Sequence, residues 1–304
     1  MAYDPCSGRL LNQRGSAPQR KNRPMQMEAQ IGSPGPPGSE SSEAQQHPCF
    51  TDLSYRRRRN QIAALAREHR SGDPVPELEY EASEQATWKE VWEALLPLHR
   101  ERALSDLRER GEQMQLWARP IPQLEELNRG GLAATGFRFE PVEDLVPHQD
   151  FFAALAQRTF LSTQYMRHGA TALYTPEPDL VHEVVGHAAG LSIPWVADLA
   201  QAFGLAAGRT DDRGRLRLDR LFWFTMEFGL IREAGEARAF GAGLLSSAGE
   251  LAGLRETKER LPFDLELLAE TAYENDRPQT RLVEAPSRTD FERGLHRYLE
   301  QVRG

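Results

Sequence analysis

Two histidines and two carboxylates fall within Asp179-Leu180-Val181-His182-Glu183-Val184-Val185-Gly186-His187, and a lone acid, Glu227, follows inside Leu221-Phe222-Trp223-Phe224-Thr225-Met226-Glu227-Phe228-Gly229. Two imidazoles and one carboxylate are the ligand set of a non-heme iron(II) centre, with positions left open for oxygen and a co-substrate. The rival is a zinc-dependent hydrolase with Glu183 as general base. Spacing weighs between them. In H-E-x-x-H the two histidines stand about 40° apart around a helix, whereas five residues turn them about 140° apart. His182 and His187 are five apart, so a shared ion requires a π-type widening or an early helix end between them, with Gly186 permitting it. Glu227 lies in an apolar run, where an ionised carboxylate is costly unless it is paired or metal-bound.

The elements that must position these groups read as helices. Pro178 suits a first helical position and Asp179 complements the positive end of the dipole. Helical patterns cover about 149–159, 178–190, 194–207, 218–232 and 262–273. A last amphipathic helix over 288–302 puts Phe291, Leu295, Leu299 and Val302 on one face. Trp88, Val91, Trp92, Leu95 and Leu96 recur at helical spacing up to Pro97, and a second stretch continues through Leu107. Alternation over Phe137–Val142 marks a short strand. The fold class is therefore mostly α with a few short strands.

The expected organisation is a disordered tail over 1–50, a linker or helical extension over 51–77, and one catalytic domain over 78–304. From Gly32 to His47 the only apolar side chain apart from proline is Ala44, too little burial to offset ordering entropy. Pro18 and Pro24 break the amphipathic helix a transit peptide would need. Arg56–Arg59 reads as the solvated start of a helix over Asn60–His69 rather than a nucleic-acid patch, since a net charge of −8 disfavours polyanion binding. Cys6 and Cys49 are the only cysteines, which leaves no disulfide framework and no cysteine-rich metal site. The absence of a long apolar run or an N-terminal h-region points to a cytoplasmic protein with no membrane or nucleic-acid partner.

Motifs around the two histidines carry a resemblance. In order they are Ser162-Thr163-Gln164-Tyr165-Met166-Arg167-His168-Gly169, Tyr174-Thr175-Pro176-Glu177-Pro178-Asp179, the H-E-x-x-G-H segment, Trp223–Gly229, and Gly241-Ala242-Gly243-Leu244-Leu245-Ser246-Ser247-Ala248-Gly249-Glu250. Together they resemble the tetrahydropterin-dependent aromatic amino acid hydroxylases, in particular the short bacterial phenylalanine 4-hydroxylases, from about Glu79 to the C-terminus. The resemblance implies a single hydroxylase-like catalytic domain and a monomer. It also implies a monooxygenase using Fe(II), O2 and a reduced tetrahydropterin to hydroxylate the ring of a free aromatic amino acid. Conversion of L-phenylalanine to L-tyrosine is the leading expectation. Meta-hydroxylation of phenylalanine, or hydroxylation of tyrosine or tryptophan, are the alternatives.

By the same resemblance His182, His187 and Glu227 ligate Fe(II), and Arg167 clamps the substrate carboxylate with its planar fork. Thr175 and Ser246 help hold the amino-acid backbone, while Pro178 and Trp223 line the aromatic pocket. Glu183 stands near the pterin, and Phe151 stacks on it. Departures occur at Leu161 and Phe222, where many members carry histidine and tyrosine, and at Asn275, where phenylalanine hydroxylases carry an aliphatic residue. Gly241-Ala242-Gly243 is not a dinucleotide fingerprint, because Ser246 stands where the third glycine would be.

Overall fold

Helix caps and apolar spacing set the long elements of the computed structural model, which describes residues 47–256, 259–275 and 278–303. The part of the expected tail before residue 47 lies outside the described residues. Asp52 accepts the backbone N–H groups of Ser54 and Tyr55 and starts α1, Leu53–Glu68. This helix begins earlier than Asn60, so the arginine run lies inside it. Arg58 is chelated by Glu84 at 3.1 and 2.9 Å, and Arg59 is largely buried, so the run is only partly solvated. Ile62 of α1 packs with Leu78 and Tyr165, and Val75 joins the main core.

A capping box of Glu81 and Glu84 opens α2, Ala82–Arg102. The helix runs through Pro97 instead of ending there. The proline forfeits one backbone hydrogen bond, while buried Trp88, Val91, Trp92 and Leu95 hold the helix on the core. A separate helix, α3, covers Ser105–Met114.

Strand β1, Arg138–Pro141, runs parallel to β2, Thr159–Ser162, with Phe139 opposite Phe160 and α4, His148–Ala156, as the crossover. Pro194 at its first turn starts α5, Pro194–Ala207, which packs across α4. Asp211 caps α6, Asp212–Phe222. The single helix expected over 218–232 does not form. A π segment over Trp223–Glu227 follows α6, and the chain then enters β3, Gly229–Glu233. A two-residue turn, with φ of 51° at Ala234 and 84° at Gly235, returns it as β4, Glu236–Ala239. With β5, Glu259–Leu261, and β6, Arg281–Ala285, these form a sheet in the order β4-β3-β6-β5, antiparallel only between β3 and β4. The helix expected over 262–273 is limited to Leu265–Glu270. Ser287 caps α7, Arg288–Gln301, which buries Phe291, Leu295 and Leu299. The architecture is mostly α, with six short strands among the described residues.

Candidate active site

A second π segment, His182–Ala188, answers the spacing problem posed by the two histidines. A widened turn gives five residues nearly one full revolution, so both rings leave the same side of the helix. Gly186 contributes by its size rather than by any special backbone angle. A Cβ there would lie 2.7 Å from the Ala242 carbonyl oxygen, where the short helix Ala242–Leu245 crosses the segment. Over Trp223–Glu227 the Thr225 hydroxyl donates to the Leu221 carbonyl at 2.6 Å, and the Phe228 N–H reaches the Trp223 carbonyl at 2.9 Å. A hydroxyl bonded to the carbonyl four residues back is a contact that bends a helix at that turn. Both ends of the candidate ligand set thus ride on π turns.

The three side chains converge. His182 Nε2 and His187 Nε2 are 3.2 Å apart, and Glu227 stands 3.3 Å from His187 and 3.6 Å from His182. Three donors bonded to one ion at about 2.1 Å and at right angles to one another would lie about 3 Å apart, so the cluster fits a divalent cation. The donors are also in the right state. Ser246 Oγ donates to the Ala242 carbonyl at 2.9 Å and stands 3.2 Å from His182 Nδ1. It is therefore placed to accept from Nδ1–H, which leaves the Nε2 lone pair facing the cluster. Burial drives the His182 pKa down to about 4 against the pull of Glu227, so this imidazole is neutral. Burial raises Glu227, but His187, His182 and the Gly243 N–H outweigh it and hold the carboxyl below its usual range. Among the described residues this is the one group of three or more such side chains close enough to share an ion.

The cluster forms part of the wall of a cavity of about 500 Å³, within the usual span for a small-molecule site. Phe151, Arg167, Thr175, Pro178, Glu183, Trp223 and Ser246 all line the same cavity, as do Leu161, Phe222 and Asn275. Glu183 accepts the N–H and hydroxyl of Thr163 at 3.4 and 3.2 Å, and burial pushes its carboxyl well above the usual range. Thr175 donates its hydroxyl to the Glu177 carbonyl at 3.1 Å. Phe151 is mostly buried, edge-on to Phe152, Phe160 and Phe222, so Phe222 occupies an aromatic box with no hydroxyl of its own. Trp223 stacks on Tyr273 and donates to Gln279 at 3.2 Å.

Asp179 does more than complement a helix end. It is 1% exposed and takes Arg167 Nε and NH2 at 3.0 and 2.7 Å, the Arg167 backbone N–H at 2.8 Å and the His182 N–H at 3.3 Å. It therefore fixes the guanidinium plane and the start of the π segment together. The acid two residues after Glu177 in the Tyr174–Asp179 motif was the available sign, but its partner twelve residues upstream was not legible from spacing. At the cavity mouth, Arg59 lies 3.1 Å from both Asp144 and Glu177 and 4.4 Å above the Tyr165 ring. Among the described residues, no helix is long and apolar enough to cross a membrane.

Known proteins share this chain's sequence and fold. The chain is 40% identical over 264 residues to tyrosine 3-monooxygenase of Canis lupus familiaris, covering 84% of this chain and 53% of that one. It is 44% identical over 209 residues to the chloroplastic phenylalanine 4-monooxygenase of Physcomitrium patens, covering 69% of this chain and 53% of that one. The chain spans about half the length of these curated relatives. A Chromobacterium violaceum phenylalanine hydroxylase with bound iron(III) and 7,8-dihydrobiopterin superposes with a TM-score of 0.70 at 30% identity, covering 81% of this chain and 92% of that one. The same enzyme bound to cobalt gives 0.71 at 30% identity, with the same coverage. The biopterin-dependent aromatic amino acid hydroxylase pattern matches residues 38–303, so all of the described structure falls within it and the chain belongs to that family.

Proposed function

We propose that this chain is a non-heme iron monooxygenase that uses O2 and a reduced tetrahydropterin to hydroxylate the ring of a free aromatic amino acid, with L-phenylalanine to L-tyrosine as the leading reaction. One observation carries the reading: the two-histidine, one-glutamate cluster and the buried Arg167 fork share the walls of one cavity. His182, His187 and Glu227 would hold Fe(II), which with the reduced pterin supplies the activation of oxygen. The chain's own work is to orient and to exclude water. Asp179 and the Ala172 carbonyl engage three of the five Arg167 N–H bonds, leaving two for a substrate carboxylate. Thr175 and Ser246 bracket the amino-acid end, and Trp223 with Pro178 walls the ring. Phe151 and its aromatic neighbours offer a flat apolar side to the pterin, and Glu183 offers an acceptor for its N–H groups.

A second substrate reading, tyrosine, draws support from the 40% identity to tyrosine 3-monooxygenases and from the polar Asn275 in the cavity wall. The proposal keeps the monomeric, cytoplasmic setting expected from the sequence, which light scattering on the purified protein would test in its first part. The deciding experiment is anaerobic loading with Fe(II) and tetrahydropterin, addition of each aromatic amino acid, admission of air, and product identification. Tyrosine from phenylalanine is the expected product. Full iron occupancy with no hydroxylated product from any of the amino acids would refute the proposal.

A further inference from the structure

Away from the ligand cluster, a buried polar chain joins two walls of the cavity. Asp219 lies in the last turn of α6, four residues before Trp223, and is 5% exposed. A carboxylate so placed is costly without partners, and it has them on two other elements. Its Oδ1 lies 3.2 Å from Nδ1 of His148, the first residue of α4 and three before Phe151. Its Oδ2 accepts from the Tyr273 hydroxyl at 2.7 Å. The Tyr273 ring lies flat against Trp223, centroids 4.2 Å apart and planes 11° apart. At its edge, Trp223 Nε1 donates to Gln279, whose own amide nitrogens reach Glu250 at 2.6 Å and the Glu274 carbonyl at 2.8 Å.

Stacking alone leaves two rings room to slide over one another, because aromatic pairs adopt a range of offset geometries. A hydroxyl bonded to a buried carboxylate removes that freedom from Tyr273, since moving the ring would strand both polar groups. We infer that Asp219 is a positioning residue for the substrate ring: through Tyr273 it fixes the Trp223 indole, and through His148 it ties that wall to the helix bearing Phe151. This rests on the hydroxylase reading above. Its consequence is that losing the link leaves the metal ligands in place but lets the aromatic wall drift. Pterin would then be consumed without matching hydroxylation of the amino acid, because the reacting ring is no longer held in line.

The test uses protein labelled with 5-fluorotryptophan, with the Trp223 fluorine signal assigned from Trp223→Phe. Tyr273→Phe and Asp219→Leu should broaden or split that signal, and Asp219→Asn, which keeps an oxygen acceptor for Tyr273, should leave it close to the parent. The iron-loaded Tyr273→Phe and Asp219→Leu variants should form roughly tenfold less hydroxylated amino acid per pterin oxidised, with iron content unchanged. A single sharp Trp223 signal with parent-like coupling in Tyr273→Phe would overturn the inference even if thermal stability fell. So would a broadened signal with coupling intact. If Asp219→Leu does not fold, Tyr273→Phe still decides, since it removes one hydroxyl. A parent protein that hydroxylates no amino acid overturns the function proposed above, while the fluorine spectra still judge the positioning of Trp223.

Discussion

At the back of the cavity His182, His187 and Glu227 ride on two π-widened segments, whereas at its mouth Asp144 and Glu177 are joined by the single guanidinium of Arg59. The back wall is built from backbone geometry and close contact, as where Gly186 meets the Ala242 carbonyl. The mouth is built from ion pairs, with about half of the Asp144 side chain exposed to water. Charges in water cost little to separate, while a widened helix wedged against another backbone has no inexpensive alternative. The metal end should therefore be rigid and intolerant, and the mouth adjustable.

The largest effect should come from the proposed ligands. His187→Ala or Glu227→Ala is expected to abolish stoichiometric iron binding while leaving helical content near the parent, checked by metal analysis and circular dichroism; wild-type iron content in either would remove that residue from the ligand set. Next comes Arg167→Met, which leaves the buried Asp179 carboxylate with backbone N–H donors but no countercharge and should cost about 3 kcal/mol of stability, read by denaturant unfolding. Gly186→Ala tests the wedge. The added methyl must displace the Ala242 backbone, with an expected loss of about 1–3 kcal/mol and weaker iron retention than the parent on chelator challenge. A parent-like Gly186→Ala would show that the back wall yields as readily as the mouth. The smallest effect belongs to Asp144→Asn, which removes one half-exposed partner of Arg59 and should cost about 0.2–1 kcal/mol, with a modest rise in amino-acid KM. A loss there as large as that of Arg167→Met would erase the contrast.

The five-residue interval between His182 and His187 was enough to demand a widened or broken helix, because angular spacing is a property of the chain itself. The π segment over Trp223–Glu227 was not legible in the same way. In Leu221–Phe228 nearly every residue is apolar, so no face stands out and periodicity carries no information. For the same reason Gly229–Glu233 read as continuing helix, although it pairs with Glu236–Ala239 and Arg281–Ala285 as a strand. The ring-positioning role proposed for Asp219 depends on three elements brought together only by the tertiary fold. Arg167 and Trp223 could be placed on the cavity from motif resemblance, but their supports, Asp179 and Tyr273, came from contact geometry.

A π turn holds one residue more than the α turn it replaces. Along His182–Ala188 and Trp223–Glu227, chain length is thus a constraint separate from side-chain identity. Conservative exchanges at Val184 or Val185 can leave the register untouched. Removing either one would restore regular winding and draw His182 and His187 to the four-residue interval of a zinc protease, with every remaining ligand chemically intact. Libraries confined to point substitutions would therefore map these segments as more permissive than libraries that also vary their length.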